Sequence, residues 1–309
     1  MPCIVSFIVL AVLGIFSASH RQLAREAFDC VFRRITLRPC NTGFQDKMKG
    51  LLVGRILARS VPLARFVNKR FELLSWIFMI LTVASLAWFL RGAYLWWTYG
   101  SCNGPNNAGF CIFDPTGESN KTTAGTNCGT VQPVASNLHL DAFDLSKFPK
   151  MTRAGAKHEL VFVGCYGCQY TRETFPIIQD VLKKNPDVNF TFVHFPTIKS
   201  TDFLSAYTYC TSKTDETKFW DYNQAVFALP IEKVTDPAEI SKVLTETGYD
   251  AASIVACTQS PETQQAVQSW NDMSKAANIY GTPTIFIDGQ PLVGPKPARV
   301  YDRALGLWW

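Results

Sequence analysis

Glu159-Leu-Val-Phe-Val-Gly164-Cys165-Tyr-Gly-Cys168-Gln-Tyr-Thr171 is the stretch whose reading decides the fold. Its first six residues are a short apolar run suited to a buried strand, and Thr171 to Asn185 has the apolar spacing of a helix. Cys165 and Cys168 therefore fall where a strand ends and a helix begins. A helix N-terminus supplies partial positive charge and free N–H groups, which favour a thiolate at the first cysteine. Two intervening residues let the second sulfur reach the first. Cys165 thus reads as the attacking and more accessible group, and Cys168 as the thiol that resolves the mixed disulfide. Half a zinc site looks the same, but no second CxxC or paired His lies nearby, so neither a metal nor another cofactor is expected.

Working outward, Val188 to Phe195 is a second strand candidate with period-2 patterning. A long, mainly helical stretch runs from about 201 to 278. Thr284 to Val293 then reads as strand, Asp-Gly turn, strand, and Ala298 to Leu307 as a closing helix. The order is βαβ, helical insert, ββα. Directly before the third strand stands Tyr280-Gly-Thr282-Pro283, where a proline can take the cis peptide and present the Thr282 backbone to an incoming polypeptide.

The blocks ELVFVGCYGCQYTRETFP, KFWDYNQAVF and YGTPTIFIDGQPLVG resemble those of the DsbA-like thioredoxin family, over about residues 157 to 307. The resemblance implies an α/β thioredoxin fold with a helical insertion. It also implies dithiol–disulfide exchange with unfolded or folding proteins, and a membrane redox partner that recycles the dithiol. By position, Cys165 and Cys168 match the redox pair, Thr282 and Pro283 the cis-proline loop, and Glu159 the acid that helps move the proton of the resolving cysteine. A carboxyl in an otherwise apolar strand suits that task, because burial favours its protonated form near neutrality. Cys210 and Cys257 fall where similar proteins often carry a structural disulfide. The dipeptide between the cysteines departs from the Pro-His of the family's strongest oxidants: here it is Tyr166-Gly167. That leaves oxidant, isomerase and reductase open. His158 and His194 read as strand-edge and core residues.

The N-terminal third has a different texture. Between Ala18 and Glu72 twelve Lys or Arg face four acids, so this segment carries +8 of a chain whose net charge is +5. No nucleic-acid module accompanies it, and it lies between apolar runs; membrane lipid, not nucleic acid, is the expected partner. Residues 73 to 90 carry no charge, and Tyr94, Trp96, Trp97 and Tyr99 crowd the end of the run. A transmembrane helix over 75–97 follows, with Arg91 able to snorkel toward the interface. Residues 3–17 suggest a short first membrane helix. The positive-inside rule then puts 18–72 in the cytoplasm and the part after Tyr99 outside.

Seven of the ten cysteines follow the last apolar run, in keeping with an oxidising compartment. Residues 100–150 are rich in Gly, Asn, Thr and Pro and read as an extracytoplasmic linker, pinned by a disulfide among Cys102, Cys111 and Cys128 with Cys102–Cys111 favoured. The expected organisation is an anchor region 1–99, the linker 100–150, and a thioredoxin domain 157–309. Two other functions compete with the redox enzyme: a non-redox holdase using the same groove, and a membrane assembly factor docking through the basic segment.

Overall fold

The structure is a computed structural model and describes residues 50, 53–58, 60–105, 109–124, 127–129 and 138–306. The run 3–17, most of the basic segment, and Cys3, Cys30 and Cys40 lie outside the described residues. The chain divides into two compact units, residues 1–90 and 91–309.

Helix α1 spans Val61–Tyr99, with a non-helical backbone at Arg70. Within it, Ile80–Tyr99 is long and apolar enough to cross a membrane by length and composition, the one such helix among the described residues. Twenty residues at about 1.5 Å each match a hydrocarbon layer of about 30 Å. Gly100 ends the helix: its N–H bonds Trp96 O, and its φ of 73° is the left-handed conformation that glycine adopts without a Cβ penalty.

In the second unit β1 (Thr122–Ala124) and β2 (Asn127–Gly129) form a small antiparallel hairpin. The main sheet contains β3 (Lys150–Met151), β4 (His158–Gly164), β5 (Val188–His194), β6 (Thr284–Ile287) and β7 (Gln290–Val293), in the order β3-β5-β4-β6-β7. Only β4 and β5 are parallel, joined across α2 (Gln169–Lys184); the other pairs are antiparallel. This is the thioredoxin-like α/β plan. At the β6–β7 turn, Asp288 and Gly289 both have positive φ, the backbone of a type I′ hairpin, as the Asp-Gly pair predicts.

Why β4 is apolar throughout is clear from its two faces. Leu160 and Phe162 enter one core with Phe190, Phe192, Ile285 and Ile287, whereas Val161 and Val163 enter a second with Val193 and Phe286. Helix α2 covers the first face with Thr171, Thr174, Phe175, Ile178, Val181 and Leu182, a stripe of i, i+3, i+4, i+7 spacing. The helical insertion comprises α3 (Leu204–Thr214), α4 (Glu216–Ala228), α5 (Pro237–Glu246), α6 (Ala251–Thr258) and α7 (Pro261–Ala276). Asp215, Asp236, Asp250 and Ser260 each cap one of its helices by accepting a backbone N–H. Helix α8 (Ala298–Ala304) closes the unit.

Residues 100–150 include the β1–β2 hairpin and the first residue of the edge strand β3. Packing onto the sheet begins before residue 157. Phe143 and Phe148 are buried in the second core, Phe148 stacks on Trp270 at 4.9 Å, and Trp270 Nε1 donates to Lys147 O. These aromatics cover a sheet face that would otherwise meet water.

Candidate active site

Gly164 ends β4, and the next four residues make a turn in which Cys168 N–H donates to Cys165 O at 3.0 Å. Helix α2 starts immediately after, with Cys168 itself as N-cap. The sequence puts the helix N-terminus at Cys165; the structure gives it to Cys168, whose Sγ accepts the Thr171 N–H at 3.4 Å. The reason is the turn, which spends Cys165–Cys168 before the first helical residue.

Both cysteines are in the thiol form and both are buried, each with 0% exposure. The expected accessibility of Cys165 is therefore absent in this closed arrangement. Cys165 Sγ lies 3.4 Å from Thr201 Oγ1, and that hydroxyl donates its single proton to Ile198 O at 2.7 Å. It follows that the Cys165 S–H is the donor toward Thr201. Gly167 makes this approach possible. A Cβ there would sit 2.7 Å from Thr201 Cγ2, too close for any other residue without moving the turn.

From the opposite side, Cys168 Sγ donates to Thr282 O at 3.3 Å. The Thr282–Pro283 peptide is cis, and Thr282 Oγ1 lies 3.0 Å from Thr197 Oγ1. The two distant motifs thus meet, with the Cys168 sulfur on the Thr282 carbonyl. Thr282 is completely buried.

Glu159 is not brought to the cysteines. It stands near the start of β4, five residues before Gly164, which is about 16 Å along a strand. Its Oε2 pairs with Lys150 Nζ at 2.9 Å and its Oε1 accepts from Thr191 Oγ1 at 3.0 Å. An apolar strand suggested a buried lone carboxyl; its partners lie on neighbouring strands that local sequence does not reveal.

Tyr166 turns inward. Its ring packs on His194 at 4.8 Å and Phe227 at 4.7 Å, its hydroxyl donates to Asn223 Oδ1 at 2.7 Å, and burial pushes its phenol well above the ordinary range. Arg172 ties the turn to the insertion by donating to Tyr166 O, at 2.9 Å, and to Leu229 O. His194 is a core residue, bonded through Nδ1 to Ser205 Oγ at 2.8 Å; burial lowers its pKa to about 3. His158 sits at the strand end with Nδ1 at 2.7 Å from Asp288 Oδ2. Away from the site, Cys210–Cys257 and Cys102–Cys111 are disulfides.

Sequence reasoning missed Thr201, Thr197 and Arg172. The one local signal was Gly167, a glycine between two cysteines whose φ is outside the positive range that calls for glycine.

Residues 178–306 match the family described as the DSBA-like thioredoxin domain. That part of the chain is similar to a DSBA-like thioredoxin domain. The match takes in the insertion, Thr282 and Pro283, and begins after the cysteine pair. An uncharacterized protein of Mycobacterium tuberculosis is 39% identical over 80 residues, which are 25% of this chain and 34% of that protein. The chain thus spans about a third of the length of that curated relative. Solved structures similar to part of it include the catalytic domain of Proteus mirabilis ScsC, at 20% identity over 54% of this chain and 92% of that one, with a TM-score of 0.46. BdbD from Bacillus subtilis is 19% identical over 60% of this chain and 96% of its own, with a TM-score of 0.45.

Proposed function

We propose that this chain is a membrane-anchored oxidoreductase whose Cys165 and Cys168 form, reduce or isomerise disulfides in extracytoplasmic proteins. The observation that carries the reading is a pair of thiols at a strand-to-helix turn, with Cys168 Sγ bonded to the Thr282 carbonyl from the loop before β6. Cys165 is the attacking group. The turn that covers it includes the exposed residues Lys199 and Ser200, so a small displacement uncovers its sulfur. Cys168 is held from two sides, by Thr171 N–H and Thr282 O, as suits a resolving thiol.

In the reducing direction the deprotonated Cys165 sulfur attacks one sulfur of a substrate disulfide. The S–S bond breaks, and the departing substrate thiolate takes up a proton. Cys168, having lost its own proton, then attacks the Cys165 sulfur; a Cys165–Cys168 disulfide forms and the second substrate thiol leaves. The reverse sequence oxidises a dithiol substrate, after which a membrane redox partner restores the disulfide. Thr282 and Pro283 flank the bound chain.

The apolar helix Ile80–Tyr99 and the excess positive charge before it support the anchor and the outward-facing domain. Two disulfides after that helix support an oxidising compartment. The test is turnover of the detergent-solubilised full chain with a disulfide-containing polypeptide and dithiothreitol. Cys165→Ser and Cys168→Ser are each expected to drop to the uncatalysed rate. Retained turnover in both would overturn the reading.

A further inference from the structure

After Gly100 the chain does not run straight away from α1 but doubles back along it. A Cβ on Gly92 would lie 3.9 Å from the Cys102 Cβ, so Cys102 sits beside a residue seven positions, or about 10 Å, before the helix end. The disulfide brings Cys111 to Cys102, with Cα atoms 5.3 Å apart, and Phe113 packs its ring on Trp96 at 5.3 Å. The described part of the Cys102–Cys111 loop therefore lies beside the last turns of α1.

On either side of Cys111 this loop carries Phe110, 82% exposed, and Ile112, 64% exposed. Two such side chains left in water forgo the burial that an apolar layer would give them. Tyr94 and Trp97, on the adjoining stretch of helix, are more than half exposed. Arg299 reaches over from α8, with its guanidinium 4.5 Å from the Trp96 ring, and Arg303 lies 5.9 Å from the Tyr94 ring. One level of the molecule thus combines apolar loop residues, amphipathic aromatics and cations, the set that suits the layer between hydrocarbon and phosphate.

We propose that the disulfide-closed loop is a second membrane contact, with Phe110 and Ile112 seated in the interfacial layer of the bilayer that α1 crosses. The inference rests on the membrane reading above. Its depth is robust to where the span is drawn. Whether the hydrocarbon ends at Arg91, after the uncharged run 73–90, or at Tyr99, Gly92 and Trp96 fall between those limits and the loop lies at their level. Lipid is the occupant because the patch continues the exposed apolar surface of α1.

The test uses the full chain in nanodiscs containing phosphatidylglycerol, with a benzophenone side chain replacing Phe110 or Ile112. Separate preparations carry it at Leu86, within the span, and at Ile231, an exposed site on the insertion. After irradiation, mass spectrometry is expected to find phospholipid adducts at Phe110, Ile112 and Leu86 and none at Ile231. Lipid adducts at Leu86 with none at Phe110 and Ile112, or adducts there to a second chain, would overturn the wedge and leave the anchor standing. Absence of lipid at Leu86 would overturn both.

Discussion

Thr201 decides how the reactive sulfur is presented. Its hydroxyl closes over Cys165 while donating to Ile198 O, and the bare Gly167 lets it come that near. Thr201→Val keeps the shape of the side chain and removes the oxygen. A hydrogen bond of about 1 kcal/mol is then lost, so alkylation of Cys165 in the reduced protein is expected to quicken about fivefold, whereas Thr201→Ser stays near wild type. An unchanged rate in Thr201→Val would mean that the hydroxyl does not guard the thiol. His194 tests the core beneath. Burial lowers its pKa from 6.5 to about 3, so between those values the unfolded chain binds a proton that the folded chain refuses. Stability is present in full above pH 6.5 and is lost as pH falls toward 3, by several kcal/mol from this group. His194→Gln is expected to flatten that part of the profile, measured by urea unfolding of the detergent-solubilised chain; the same slope in both proteins would contradict the assignment.

At the scale of elements, the Cys210–Cys257 disulfide joins α3 to α6 across a sequence separation of 47. Closing a loop of that size in the unfolded chain stabilises the folded state by about 4 kcal/mol in the chain-entropy account. The double variant Cys210→Ala/Cys257→Ala is expected to lose a comparable amount in denaturant unfolding while thiol exchange at Cys165 continues. A loss of exchange in the still-folded variant would show that this bridge takes part in the redox cycle. The elements differ in how far they can be read from local sequence. Strand β4 is legible because both its faces are buried and the run is continuously apolar, β5 because its apolar residues alternate, and the β6–β7 turn because Asp-Gly favours positive φ. Phe143 and Phe148 carry no period, so their place under Trp270 emerges only when the sheet exists to be covered. Glu159 is misread for a related reason: its ion pair with Lys150 depends on β3 joining the edge of the sheet beside β5. Thr201 is invisible until the chain after β5 folds back over Gly167.

The whole molecule comprises an apolar helix, a loop folded along its last turns and a thioredoxin-like domain whose two thiols lie between a threonine turn and the Thr282–Pro283 loop. The proposed function rests on a division of labour between Cys165 and Cys168. The measurement that tests it most directly is trapping of the mixed disulfide in the full-length chain, reconstituted in lipid and offered a disulfide-containing unfolded polypeptide. With Cys168→Ala the resolving step is missing, so a covalent complex releasable by dithiothreitol is expected to accumulate, with mass spectrometry locating the bond at Cys165. Accumulation through Cys168 in a Cys165→Ala variant, with no complex in Cys168→Ala, would contradict the assigned roles.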